Sequence, residues 1–383
     1  MKILIITYYK ETNPGTFLQA YAVQYSLHIR FPDAEITYLN YTKNIKECGS
    51  VSPSNIPSMS FMHKVKHIIA LKYRNKLFQQ AQKKNFNQGK IKFDLYPTAE
   101  QESLFIDYAN QFDYVVIGSD TILESLEINN NIGVMWPSTA IKAKKIYFAA
   151  SADSAKNIYQ KTHLFENIKT RIVDFAQIGL RDNVTLSLFE KNIGVPKHLL
   201  IKQADPTIFL PLNIFQISSS KTAKLPKHGK VIFYHFDRRF KYREILANLL
   251  KAKGYYLITT EYDPNCNHSF RALTPFEWGA IFRHCNYVLT ERFHDTIFSM
   301  RHGVPVITVD WNMDVLNING ESKRLSILKD FDCQENYISI STEDDLDLIL
   351  KKISSQDTTK FKKKTDMILK DMEQQAYTTL YQI

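Results

Sequence analysis

Residues 286–311 read "NYVLTERFHDTIFSMRHGVPVITVDW", with a guanidinium and an imidazole, Arg292 and His294, where a short apolar run gives way to a helix-like stretch. Alternate residues of an extended segment share a face, so Arg292 and His294 are expected to point together with Phe293 turned inward. A helix capped near Asp295 or Thr296 aims its positive end at the same spot. A cation, a titratable ring and a helix N-terminus make an anion site with an acid or base attached. A second stretch, "QIGLRDNVTLSLFEK" (177–191), ends an apolar run on Arg181-Asp182. The planar fork of Arg181 suits a carboxylate or phosphate; the other reading is a salt bridge to Asp182 or to another domain.

Two further stretches carry polar groups at the ends of apolar runs. In "FDYVVIGSDTILES" (112–125) the run closes on Gly118-Ser119-Asp120. Asp120 either accepts from a substrate hydroxyl or caps the next helix, with the Ser119 hydroxyl beside it. In "YYKETNPGTFLQAYAVQYSL" (8–27), Asn13-Pro14-Gly15 is turn chemistry and Thr16 can cap the helix that follows. Gly15 admits a close approach by ligand or backbone, and free N–H groups there favour an anion or a sugar hydroxyl; a plain tight turn is the competing reading.

These groups need a scaffold that delivers strand ends to one place. Short apolar runs alternate with helical-period segments, which predicts parallel sheets built from βαβ units. Strands are expected at 2–7, 35–39, 114–118, 145–150, 177–181, 199–202, 230–235, 255–259, 286–290 and 304–309. Helices are expected at 16–30, 60–88, 100–110, 160–174, 184–192, 240–253, 275–284, 295–302, 343–353 and 358–381. Residues 213–229 lose the periodicity and read as a linker. The division is then an N-terminal Rossmann-like domain, 1–212, and a C-terminal one, 230–355, carrying the anion site. A last helix, 356–383, is placed back on the first domain. Such α/β sheets bind ligands beyond the carboxyl ends of their strands.

A chain of 383 residues, 44% apolar and 13% aromatic, can bury two cores and is not disordered. The four cysteines lack metal-site spacing, so no metal is expected. The net charge of +10 fits nucleic acid, an acidic membrane surface or small polyanions; no nucleic-acid-binding pattern supports the first. The basic segment 60–88 reads as a solvated helix, with an anionic membrane surface as the secondary reading. "KILIIT" reads as a buried strand rather than a signal peptide, so the expected location is cytoplasmic, with the inner membrane face as the secondary one.

The ordered motifs resemble the polysaccharide pyruvyl transferase family. They are Asn13-Pro14-Gly15 followed by Leu18-Gln19-Ala20-Tyr21-Ala22-Val23, then Gly118-Ser119-Asp120, "YFAAS" at 147–151 and Leu180-Arg181-Asp182. Asp205-Pro206-Thr207, Arg292-Phe293-His294 and Gly303-Val304-Pro305 complete the set. Thr121 and Leu123 stand where the family often has Gln and Trp, and Asp153 and Asp295 where it often has Gly. The resemblance implies two Rossmann-like doubly wound domains in a GT-B-like arrangement with an interdomain cleft. It also implies phosphoenolpyruvate as donor, no cofactor, and a sugar, nucleotide-sugar or lipid-linked saccharide as acceptor, joined to pyruvate as a cyclic ketal. On that reading Arg181 and Arg292 grip the donor's two anionic groups and His294 moves the proton. Asp120 serves the acceptor, and Asn13, Gly15, Ser119 and Thr296 complete the binding surface.

Two other readings use the same residues. A GT-B glycosyltransferase would place a nucleotide diphosphate on Arg292 and the helix end, and needs a carboxylate for the ribose, for which Asp310 and Glu321 are the candidates. A non-catalytic glycan-assembly component is suggested by the departures at Thr121, Asp153 and Asp295.

Overall fold

A computed structural model describes residues 1–42, 61–226, 230–311 and 322–381. Cys48, Glu321 and the end of the expected linker, 227–229, lie outside the described residues. The first sheet contains β1 (Lys2–Ile6), β2 (Glu35–Thr42), β3 (Gln88–Asp94) and β4 (Tyr114–Ile117). A small hairpin, β5 (Glu127–Ile128) with β6 (Asn131–Ile132), precedes its remaining strands, β7 (Lys144–Ala150), β8 (Gln177–Leu180) and β9 (Leu200–Lys202). The second sheet contains β10 (Lys230–His235), β11 (Tyr255–Thr259), β12 (His268–Ser269), β13 (Tyr287–Thr290), β14 (Val306–Asp310) and β15 (Tyr337–Ser339).

Both sheets are parallel throughout, with orders β3-β2-β1-β4-β7-β8-β9 and β12-β11-β10-β13-β14-β15. In each, the first strand in sequence lies in the middle and the chain then builds outward to both sides. Each is therefore a doubly wound, Rossmann-like sheet whose direction of winding reverses between two central strands, β1 and β4 in one, β10 and β13 in the other. Those reversals open the crevices where such folds hold ligands. The central strands are short runs such as Ile3–Ile6 and Val288–Thr290, with every side chain buried, as parallel sheets covered on both faces require.

The helices are α1 (Pro14–Arg30), α2 (Phe61–Asn85), α3 (Ala99–Ala109), α4 (Lys156–Tyr159), α5 (Phe165–Ile172), α6 (Asn183–Ser187) and α7 (Ser219–Thr222). They continue with α8 (Arg243–Ala252), α9 (Pro275–Ile281), α10 (Phe293–Arg301), α11 (Lys323–Asp330), α12 (Leu346–Ser355) and α13 (Thr358–Tyr381). The expected helix over 160–174 is in pieces, with a 3-10 turn at 162–164 between α4 and α5. Only Ile158, Phe165, Ile168 and Ile172 reach the core there, too few for one continuous buried face. The helix expected at 184–192 ends as a π-turn over 188–193. Strands β3, β12 and β15, the hairpin and α11 were not expected.

The lobes share a core. Phe276 of α9 packs edge-on against Phe17 and Tyr21 of α1, with ring centroids 5.8 and 5.2 Å apart. Within the segment read as linker, Phe215 is fully buried against Phe298 and accepts from Arg283 through its carbonyl. Arg301 of α10 donates to the Leu210 carbonyl. After α12 the chain returns, and α13 touches α10, α1 and the 3-10 turn at 206–209. No helix among the described residues is long and apolar enough to cross a membrane.

Candidate active site

The N-terminus of α1 and the N-terminus of α10 meet across the cleft. Asn13, not Thr16, caps α1: its side-chain oxygen accepts from the backbone N–H of Gly15 and Thr16, at 2.9 and 3.4 Å. Pro14 occupies the first helical position, where its missing N–H is no loss. Gly15 is then the contact point, because a β-carbon there would run into the imidazole of His294. The close approach that glycine allows is thus filled by a side chain of the other lobe.

His294 lies in the first turn of α10. The helix begins at Phe293, with Arg292 as its cap residue in extended conformation and without a side-chain capping bond. This corrects the expectation that Arg292 and His294 share a face, since a helix rotates successive residues by about 100° and the extended alternation stops at Arg292. His294 turns toward the first lobe, where its Nε2 is buried without a hydrogen-bond partner, 3.9 Å from the Asp205 carboxylate. Arg292 points elsewhere. Its guanidinium is half exposed, 3.8 Å from Asp237 and 3.7 Å from Glu291.

Asp205 organises the buried half of the site. It is fully buried and accepts from Gln19 Nε2 at 2.7 Å and Arg181 Nη1 at 3.0 Å on one oxygen. The other oxygen takes the Thr207 N–H and hydroxyl, at 3.0 and 2.5 Å. Arg181 therefore pairs with Asp205 rather than Asp182, which instead caps α6 by accepting from Thr185. The Arg181 guanidinium also lies 4.6 Å over the Phe293 ring, and its Nε has no partner. Burial alone would raise the Asp205 carboxyl, but Arg181, His294 and Thr207 together hold it below its ordinary value. Burial drives the His294 imidazole below its ordinary value, against the opposing pull of Asp205 and Asp120. Burial thus weakens the ring's hold on a proton, which suits a group that begins turnover as a proton acceptor.

Ser119 and Asp120 stand at the end of β4, beside the first sheet's reversal. Ser119 is fully buried with its hydroxyl unpartnered, and its carbonyl accepts from Thr7. Asp120 has a positive φ of 77° and accepts from the Thr121 N–H at 2.8 Å. Around it gather Tyr8, Glu124 and Asp153, and Lys323 of α11 reaches over from the second lobe to pair with Asp153. Burial, with Asp153 and Asp120 adding to it, raises the Glu124 carboxyl. Thr296 is fully buried; its hydroxyl donates to the Arg292 carbonyl and bonds Thr308, tying α10 to β14. No group of three or more His, Cys, Asp or Glu able to hold a metal occurs among the described residues.

A second polar centre, absent from the sequence reading, sits at the other reversal. His235 ends β10, and its Nδ1 lies 2.6 Å from Asp295, which also accepts from Thr290 at 2.7 Å. Glu261 faces its Nε2 at 3.8 Å. Burial would lower this imidazole, but the Asp295 carboxylate, with Glu261 opposite, raises it to about 10. The departure Asp295 for Gly thus has a structural partner. Sequence offered one signal for Asp205, the Asp-Pro-Thr motif, but not that Gln19 of α1 and Arg181, just past β8, would meet on its carboxylate.

The family model for polysaccharide pyruvyl transferase matches residues 13–313. The chain belongs to the polysaccharide pyruvyl transferase family. That span takes in both helix N-termini, Arg181, Asp205 and His294, and the family is one of transferases acting on polysaccharide. Among curated proteins, no sequence matches the chain. Among solved structures, this family member is similar to the Anabaena protein HepE in complex with UDP, with a TM-score of 0.58, 12% identity and full coverage of both chains. It is also similar to UDP-GlcNAc 2-epimerase from Neisseria meningitidis bound to UDP-GlcNAc, with a TM-score of 0.55, 12% identity and coverage of 95% and 94%. At such identity the likeness concerns the fold: two Rossmann-like domains in a GT-B-like arrangement.

Proposed function

We propose that the protein transfers the pyruvyl group of phosphoenolpyruvate to two hydroxyls of one sugar in a surface polysaccharide or its precursor, forming a cyclic ketal. The observation that carries the reading is the buried His294 imidazole. Its Nε2 is unpartnered, beside the Arg181–Asp205 pair, between two helix N-termini. Arg181, through its unpartnered Nε, and the N–H groups that open α1 and α10 supply positive potential to a small anion. Arg292, half exposed at the cap of α10, is the second cation, and donor binding draws the lobes together.

The chemistry balances without a redox partner. The methylene carbon of the donor gains one proton, and its neighbour passes through an oxocarbenium-like centre that takes the first hydroxyl. Loss of inorganic phosphate regenerates that centre, and the second hydroxyl closes the ring. Of the two hydroxyl protons lost, one is balanced by the new methyl group and one leaves with phosphate. His294 accepts a hydroxyl proton and returns it, and Asp120 orients the acceptor and stabilises positive charge on carbon.

The nucleotide-sugar reading is the alternative. Asp310, one carboxylate it could use for a ribose, is committed to Arg324 and to the Tyr337 hydroxyl at 2.8 Å. Incubation with phosphoenolpyruvate and candidate sugars decides between them: acceptor-dependent phosphate release supports pyruvyl transfer. Thermal stabilisation by UDP alone, with no response to phosphoenolpyruvate, defeats it.

A further inference from the structure

Helix α2 has one face spoken for and one that is not. Its inner stripe, His67, Ala70, Arg74 and Phe78, is covered wholly or in part. Arg74 donates to the Thr12 carbonyl at 2.9 Å, and Gln82 farther along donates to the Glu11 carbonyl at 3.1 Å. Both carbonyls belong to the loop that leads into Asn13 and Gly15. The same inner face meets the second lobe, where the His67 ring lies 5.4 Å from Tyr262. The helix therefore lies beside the mouth of the cleft and fastens to the loop that opens α1.

The outer stripe, Val65, Ile69, Lys72 and Lys76, follows the spacing i, i+4, i+7, i+11, on the opposite side of the helix. Ile69 is 60% exposed, Tyr73 52% and Ile68 47%, with Val65 and Leu71 also exposed. These five large apolar side chains fall within nine residues. Helix α2 carries no acidic residue, against seven lysines and arginines. An exposed face that mixes large apolar side chains with lysines and holds no carboxylate is poorly suited to water and well suited to an interface with negative headgroups. A protein partner rich in carboxylates would answer the lysines but not the ridge of isoleucines.

We propose that the outer face of α2 docks the protein on an anionic lipid bilayer, with Val65, Ile68, Ile69 and Tyr73 entering the headgroup region and Lys72 and Lys76 meeting the phosphates. Docked in this way, the loop that opens α1 and the second lobe at Tyr262 lie just behind the membrane-facing helix, within reach of a saccharide carried on a lipid. The inference does not need the donor assignment, because nothing in it involves phosphoenolpyruvate.

The test is co-sedimentation of the full chain with phosphatidylcholine vesicles, plain or containing about 30% phosphatidylglycerol. Binding to the anionic vesicles, none to the plain ones, and loss of binding at about 0.5 M salt are expected. Each lysine contributes about 1 kcal/mol near such a surface, so Lys72→Gln and Lys76→Gln should each weaken binding roughly fivefold. Ile69→Ser should weaken it further, with unchanged circular dichroism. Failure to bind anionic vesicles, equal binding to plain ones, or variants that bind like the parent each overturn the proposal. Self-association without lipid that Ile69→Ser abolishes also overturns it, by assigning the face to a second copy.

Discussion

The imidazole of His294 rests against the α-carbon of Gly15, so the two lobes touch at one residue without a side chain and one that can carry a proton. The contact needs the smallest residue in the second position of α1 and the imidazole in the second of α10.

Gly15→Ala is the sharpest probe of that contact. Gly15 is in an ordinary helical conformation, and alanine there gains helix propensity, up to about 1 kcal/mol. The added methyl group nevertheless occupies the space of the His294 ring. Folding and melting temperature should stay close to the parent while kcat for ketal formation falls at least about tenfold, as misplacement of a catalytic group does. Unchanged kcat would mean that the ring is not held there during turnover.

His294→Ala should abolish transfer with little loss of stability. Because burial lowers this imidazole, the acid side of the pH profile of kcat/KM should fall below the usual histidine range. Activity is lost as the pH drops through that lowered value and the ring takes a proton. A limb at or above the ordinary histidine value contradicts the assignment of His294 as proton acceptor.

Arg292→Ala should raise the KM for phosphoenolpyruvate and leave kcat near the parent value, because its half-exposed guanidinium stands apart from the buried His294–Asp205 pair. Loss of kcat with unchanged KM points instead to a part in chemistry.

Asp205→Ala leaves the Arg181 charge buried and unpaired, and should cost about 3–5 kcal/mol, as breaking a buried pair does. Asp205→Asn keeps the shape and removes the charge that draws a proton to His294. Its acid limb should move to lower pH in whatever active fraction folds. Denaturant melts and the pH profile read these two effects separately.

The His235–Asp295 pair predicts a pH-dependent stability of opposite sense. The His235 imidazole is raised in the folded protein to about 10, above its unfolded value near 6.5. Its contribution is complete below the unfolded value and is lost as pH rises through about 10. Asp295→Asn should flatten the fall in melting temperature between neutral and alkaline pH. An alkaline fall as steep in the variant as in the parent would remove the pair from the account.

The sequence revealed the architecture where apolar runs are dense. Strands β1, β4, β10 and β13 are continuous, wholly or nearly buried runs, and their ends name Gly118-Ser119-Asp120 and the Arg292–His294 segment. It was silent where burial is sparse: β3, "QGKIKFD", buries only Gly89 and Phe93, and β12 has two residues. Within the site, residue types were readable but their pairing was not. Asp182 is adjacent to Arg181 in sequence, yet Asp205 holds it, since a strand end aims successive side chains apart. The two-residue difference between a helix starting at Phe293 and one starting at Asp295 was enough to send Arg292 and His294 to different neighbours.

The chain passes from the first lobe to the second near Phe215 and comes back along α13, which lies against α1 and α10. A door hung from one pin can swing and twist; hung from two, it only swings. The route of this backbone thus joins the lobes at two places, and the second join bears on how firmly the His294 ring is held against Gly15. Ending the chain ahead of Thr358 removes that join and should let the lobes twist.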